Sequence, residues 1–348
     1  MSVVAHPGLM PTVTISDTRE APERWYARWV LPLLNDPRDV PFIGLMAQCL
    51  AFAAAGVALF FAGPWLWYAA PVYWGVLVFG LLDRFTLMLH CTSHRQLFKP
   101  THRRLNYVIP WVLAPFFGQT PESYFTHHMG MHHAEENLAG DLSSTMRFQR
   151  DKFTHWLAYY GRFIGFALFD LSRYMLRKGR KRLFRRLALG EGVYWSVMVG
   201  LMLVRPGPAV VVFLVPLLLI RTLMMMGNWG QHAFISAAQP ESPYLSSITC
   251  INSRYNRRCF NDGYHIGHHL QARAHWTELP VEFEKNQTEY GRQDAIVFEG
   301  VDFFMVWLLL MTGQWSRLAR AFVKLPGAPE RTEAEIIALL KQRVRPIV

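Results

Sequence analysis

Nine of the fourteen histidines fall into four groups. They are His90-Cys-Thr-Ser-His94, His128-Met-Gly-Met-His132-His133, a single His232, and His265-Ile-Gly-His268-His269. Imidazole is a common ligand for iron, copper and zinc. An octahedral ion takes roughly six ligands, so nine histidines are too many for one. Two ions sharing them, with room left for water or oxygen, is the natural count. The chemistry implied is that of a dinuclear metal centre.

Spacing says how the rings are presented. His90 and His94 stand at i and i+4 at the end of a helical run, which puts both on one helix face. Asp83 lies two turns earlier on the same stripe. A carboxylate there can accept the second N–H of a ligating imidazole and orient it; the plainer alternative is an ion pair with Arg84 or Arg221. His128, His132 and His133 combine i, i+4 and i+5. A helix presents two of these together, and the third flanks them. His127 is the alternative first member, and helical facing favours His128. His265, His268 and His269 follow i, i+3 and i+4.

A lone histidine in an apolar setting is more often a core residue than a ligand. His232 stands alone, but in the company of eight clustered histidines it becomes a ligand candidate. Asn228, four residues earlier in Asn-Trp-Gly-Gln-His, is placed to hold a metal-bound water through its amide. The plainer reading of the clusters is a metal-handling or pH-sensing surface. His6, His102 and His155 read as solvent-exposed, and His275 as structural.

The clusters need elements to carry them. The run Phe42–Ala62 is free of charge and about as long as a spanning helix needs, roughly 20 residues. Gly63-Pro64 marks a turn, and Trp65–Leu89 is a second span ending at the first cluster. Trp65, Trp67 and Tyr68 sit where an aromatic belt would place them. A second hairpin surrounds Arg205-Pro-Gly-Pro208, with spans at about 188–204 and 209–226. Two hairpins leave every cluster on one face, near the ends of the second and fourth spans. The expected fold is thus an all-α integral membrane protein of two transmembrane hairpins, with a cytosolic helical cap holding a histidine-rich di-metal site. Residues 1–41 read as a cytosolic N-terminal segment with an amphipathic piece near Trp25–Leu34, 42–312 as the membrane domain, and 313–348 as a cytosolic tail. Tyr107–Phe117 is too short to span and is broken by Pro110 and Pro115. Trp156–Leu176 holds Arg162, Asp170 and Arg173, and an interfacial helix is favoured there. Asp302–Thr312 also reads as interfacial, and Glu333–Arg343 as a helix.

Composition agrees. The chain has 348 residues, 51% of them hydrophobic, and a formal net charge of +11. In a membrane protein such charge points to anionic headgroups and cytoplasmic loops, and no nucleic-acid motif is present. Residues 91–190 carry sixteen Lys and Arg against six Asp and Glu, densest at Arg177–Arg186. Cys49, Cys91, Cys250 and Cys259 have no CxxC spacing and read as reduced thiols. The first forty residues hold no apolar h-region, so no cleaved signal is expected.

The pattern HxxxH, HxxxHH, HxxHH spread over two hairpins resembles the membrane fatty acid desaturase superfamily, from about Phe42 to Pro280. Its members include acyl-lipid, acyl-CoA and sphingolipid desaturases and related hydroxylases and ketolases. Asn261-Asp-Gly-Tyr-His265-Ile-Gly-His-His269, with His275-Trp276 and Leu279-Pro280, is similar to the third-box region of acyl-lipid and sphingolipid desaturases. Tyr124–Glu135 is similar to their second box, and Asn228–His232 resembles the NxxxH element of acyl-CoA desaturases.

The resemblance implies that His90, His94, His128, His132, His133, His232, His265, His268 and His269 bind two non-haem irons. Asn228 would act through water, and O2 would be co-substrate. It implies desaturation of a fatty acyl or related lipid chain; hydroxylation or ketolation of an alkyl, sphingoid or carotenoid substrate is the alternative. No fused cytochrome, ferredoxin or reductase domain is expected. Electrons would then come from a separate donor, a ferredoxin, rubredoxin or b-type cytochrome with its reductase. The expected location is the bacterial inner membrane, with the site on the cytosolic face. A zinc hydrolase or a metal transporter fits less well. The first needs fewer ligands and a carboxylate base, and transporter ligands usually lie at mid-membrane.

Overall fold

A computed structural model describes residues 12–17 and 24–347; His6 lies outside them. In chain order the elements used below are α1 (Pro37–Leu59), α2 (Gly63–His94), α3 (Phe153–Arg177), α4 (Lys181–Val204), α5 (Pro206–Gln231), β1 (Ile248–Ile251), α6 (His265–Leu270), α7 (Leu279–Arg292), β2 (Ile296–Glu299), α8 (Phe303–Met311), α9 (Trp315–Ala321) and α10 (Glu333–Arg343). The protein is mostly helical. Four helices, α1, α2, α4 and α5, are long and apolar enough to cross a membrane among the described residues. The chain divides into two compact units. Residues of Glu20–Ala134 and Arg162–Met225 form one, the membrane unit. Those of Met1–Arg19, Glu135–Gly161 and Met226–Val348 form the other, the cap unit.

In the membrane unit, α1 begins where the Asp36 carboxylate accepts the Arg38 backbone N–H at 3.0 Å and Pro37 takes the first turn. Large apolar side chains point outward along the spans, with Phe79 and Leu203 each 81% exposed. Such surface is costly in water and at home in lipid. Trp65, Trp67 and Tyr68 are exposed at the tip of the first hairpin, as amphipathic rings at a headgroup boundary would be.

Wide π turns interrupt two ligand-bearing helices at Leu77–Leu81 in α2 and His128–His132. A third lies in α5 at Val210–Leu214. The loop before the second cluster packs tightly on α4, because Gly190 has no side chain. A Cβ there would lie 2.0 Å from the Pro121 carbonyl oxygen. Tyr107–Phe117, too apolar for a loop and too short for a span, forms π and 3-10 turns. α3 runs unbroken past its charges. Arg162 pairs with Asp170 at 2.8 Å, while Trp156, Tyr159, Leu171 and Met175 are buried and Phe166 and Phe169 exposed.

Among the described residues the cap unit departs from an all-helical reading in one place, a two-stranded parallel sheet in which Ile248 pairs with Ile296 and Ile251 with Glu299. Its core gathers Phe234, Ile248, Phe298, Phe303, Val306, Leu318 and Leu340. α8 therefore contributes to a protein core as well as exposing Met305 and Leu308. α10 starts with a capping box between Thr332 and Glu335.

Two chain ends are tied into this unit. Asp17 is buried, and its Oδ2 accepts from the Asn252 backbone N–H, Asn256 Nδ2 and the Tyr264 hydroxyl at 2.6, 2.8 and 2.8 Å. At the other end, Ile235 N–H donates to the Arg343 carbonyl and Ile347 N–H to the Met146 carbonyl. None of the four cysteines forms a disulfide.

Candidate metal centre

The membrane unit brings the first two clusters together. His90, His94, His128 and His133 each offer a ring nitrogen, and these atoms lie within 4.8 Å of one another. Nε2 of His128 is 2.9 Å from Nε2 of His94 and 3.1 Å from Nε2 of His133. The π turn explains the second cluster. An α-helix at 3.6 residues per turn cannot stack i and i+5, whereas the wider turn can. His128 and His133 accordingly have ring centroids 4.5 Å apart, and His132 stands 5.7 Å from His128. His127 faces elsewhere, edge-on to Phe163 at 6.3 Å. His128 is buried. Burial first, then His90, His133, His94 and His132, holds its pKa well below the ordinary range. Its ring is therefore neutral, the form that ligates a metal.

The cap unit assembles the other clusters. His232, His265 and His269 place ring nitrogens within 4.8 Å of one another. Nε2 of His265 is 3.3 Å from that of His232 and 3.1 Å from that of His269. The ring of His268 is 5.9 Å from that of His265. The tautomer of His232 follows from its partner. Its Nδ1 is 2.8 Å from the Ser246 carbonyl, which can only accept. The proton is on Nδ1, and Nε2 carries a lone pair aimed at its neighbours. A carbonyl behind a ligating imidazole is the usual way such a ring is oriented.

Asn228 spends both amide protons inside this unit, on the Ser143 carbonyl at 3.0 Å and the Tyr159 hydroxyl at 2.8 Å. The amide is thereby fixed, with Oδ1 as its remaining acceptor. Burial pushes the Tyr159 phenol up, so it stays protonated. Asp83 accepts the Arg84 backbone N–H at 2.8 Å, next to the π turn of α2. His102 is half-buried, His155 exposed and His275 buried. His275 belongs to a turn, with its N–H on Glu278 and its Nδ1 accepting from Thr277 N–H.

Sequence reasoning misses the supports of these rings. Ser246 acts through a carbonyl, which no residue type signals. Thr145 donates to the His232 carbonyl at 2.7 Å. Arg150, fully buried, donates to six carbonyl oxygens, those of Ala233, Thr145, Met146, Phe148, Arg343 and Arg345, at 2.6–3.1 Å. Burial lowers its pKa to about 9, leaving it charged at neutral pH. In the sequence it looks like one more surface cation.

Four apolar spans and, in each unit, a group of crowded, mostly buried imidazoles define a class: integral membrane proteins with histidine-rich metal-type clusters. A family model described as fatty acid desaturase matches residues 69–300, which include all nine histidines of the clusters. The chain belongs to the fatty acid desaturase family. Comparison with curated proteins and with solved structures returns no match.

Proposed function

We propose that the protein is an O2-dependent di-iron membrane desaturase, introducing a double bond into a fatty acyl or related lipid chain. The observation that carries the reading is the pair of all-imidazole groups, four rings in one unit and three in the other. Each stands in a chain that belongs to a lipid-oxidising family. The donor set fits iron, since imidazole suits iron, copper, zinc and nickel. Ring nitrogens crowded to 2.9–3.3 Å in each group are what a cation between them would accommodate.

In this reading His90, His94, His128, His132, His133, His232, His265, His268 and His269 hold two irons. Bound iron supplies the activation of dioxygen that removal of hydrogen from an unactivated C–H bond requires. The protein's part is placement. Ser246 fixes the proton of His232 on Nδ1. Asn228 Oδ1 accepts from a water at the centre, with its amide locked by Ser143 and Tyr159. Asp83 orients the first cluster from two turns away. Burial of His132, His232 and His265 keeps bulk water out. Overall two C–H bonds break, one C=C bond forms and dioxygen leaves as two waters. Two electrons and two protons enter from outside the chain, the electrons from a separate ferredoxin, rubredoxin or b-type cytochrome with its reductase. The site faces the cytosol of a bacterial inner membrane.

The test is mass spectrometry of total lipids from cells expressing the wild type or His132→Ala. A wild-type-only product lighter by two hydrogens is expected. A product heavier by one oxygen would replace desaturation with hydroxylation. Full activity in an iron-quantified His132→Ala protein would sink the metal assignment.

A further inference from the structure

The arginine-rich stretch after the second cluster reads from sequence as a cytoplasmic patch that attracts anionic lipid, with docking of an acidic electron carrier as the alternative. In the structure it has two faces. Arg173, Arg177, Lys178, Lys181, Arg182 and Arg185 are exposed on its outer side. Arg180 and Arg186 turn toward the helical segment that carries His128, His132 and His133.

Arg180 Nη1 donates to the carbonyl of Gly130, the central residue of the π turn between His128 and His132. Arg180 stands at the joint of α3 and α4, where its own N–H is fixed to the Met175 carbonyl at 2.8 Å. The approach is close because residue 130 is glycine; a Cβ would meet Leu183 Cδ1 at 2.9 Å and Met175 Cε at 3.0 Å. A π turn disturbs the regular ladder of helical hydrogen bonds, and a charged donor from outside steadies a carbonyl within it.

Arg186 holds the start of the same segment. Its Nε and Nη2 reach Glu122 Oε2 at 2.8 and 2.5 Å, and its guanidinium lies 4.4 Å over the Phe125 ring. Glu122 sits in the left-handed region at φ 66°, a strained conformation for a side-chain-bearing residue that its surroundings must hold. Trp111 Nε1 donates to its other carboxylate oxygen at 2.7 Å.

We infer that Arg180 and Arg186 are positioning residues for the second histidine cluster, bracing its π turn and its first turn respectively, while the exposed cations of the same stretch face anionic headgroups. This inference rests on the reading of the histidines as metal ligands. The π turn is what brings His133 onto the face of His128, so loosening it separates ligands without touching one.

The experiment uses the full-length protein in detergent, loaded anaerobically with Co(II), whose ligand-field bands report ligand geometry without turnover. Arg180→Met and Arg186→Met are expected to weaken metal binding about tenfold and shift the bands, the size typical of partners behind metal ligands. Arg180→Lys should recover much of the loss. Arg177→Met and Arg182→Met should keep wild-type metal binding and spectra while binding less to vesicles containing phosphatidylglycerol. Wild-type affinity and bands in Arg180→Met and Arg186→Met would overturn the inference, as would equal losses in Arg177→Met and Arg182→Met. If either methionine variant does not reach the membrane, Arg186→Lys decides. An ammonium cannot lie flat on Phe125 and fork to Glu122, so a severalfold loss is expected, and unchanged affinity overturns the inference. A wild type that binds no transition metal overturns both this inference and the metal reading.

Discussion

At the scale of single residues, the site is built by fixing protons. A histidine ligates through the nitrogen that lacks one, and the other nitrogen needs an acceptor to keep its proton there. Ser246 does this for His232. Asn228 is a different case. Both of its donated bonds go to protein partners, so its contribution to a metal would pass through a water on Oδ1. Asn228→Ala should therefore retain metal and lose about tenfold in turnover, the usual cost of a partner one step removed from the ion. His128→Ala should lose metal and all turnover. Parallel metal analysis and product assays on the two purified variants check this. Loss of metal in Asn228→Ala equal to that in His128→Ala would make Asn228 a ligand in its own right. Residue type and spacing make His90, His94, the second and third clusters and even His232 legible in the sequence. Ser246 and Thr145 are not, because they act through ordinary polar atoms that gain meaning only when the chain folds.

At the scale of elements, legibility follows period and length. The spans announce themselves as long apolar runs, the first free of charge and the others with only one or two charged residues, and the His265–His269 spacing suits the helix it forms. The second cluster's i, i+5 pair does not suit an α-helix, and that mismatch is the visible trace of its π turn. β1 and β2 are hidden. Each is four residues long, too short for periodicity to separate strand from buried helix, and the two are far apart in sequence. The clamp around Arg150 is hidden too, because its acceptors are all main-chain carbonyls. That clamp joins the end of α10 and the residues after it to Ala233, the neighbour of His232. Removing residues 344–348 takes away the Arg345 acceptor and the bonds from Arg150 N–H to Val344 and from Ile347 to Met146. The truncated protein should lose amide-exchange protection at 145–150 and 228–236 while α1 and α2 stay protected. Arg150→Met should have the same signature and cost at least about 3 kcal/mol, since several buried carbonyls lose a charged donor at once. Unchanged protection at 228–236 in both variants would show that the clamp does not support His232.

At the scale of the whole molecule, the distribution of charge and the hairpin connectivity make one joint statement about the membrane. The first hairpin tip carries no charged residue between Phe60 and Tyr68, and the second carries only Arg205. The segment between the hairpins is rich in cations, with sixteen in residues 91–190. Lys and Arg near span ends stay on the cytoplasmic side, and two complete hairpins put both tips together on the other. Single cysteines introduced into a Cys91→Ser background read this out, because Cys49, Cys250 and Cys259 are buried while Cys91 is half-exposed. Trp65→Cys and Arg205→Cys, both at exposed tip positions, should react with a membrane-impermeant maleimide in spheroplasts. Arg104→Cys and Arg182→Cys, also exposed, should react only after the membrane is opened or in inverted vesicles. The result separates two topologies that the length of α3 alone leaves level. Were α3 a fifth span, Arg104 and Arg182 would lie on opposite sides and label under opposite conditions. Its Arg162, Asp170 and Arg173 make that arrangement expensive at any depth in hydrocarbon. The shared labelling of Arg104→Cys and Arg182→Cys is therefore the outcome that burial cost predicts, and split labelling would move α3 into the bilayer and put the second hairpin's tip on the side opposite the first's.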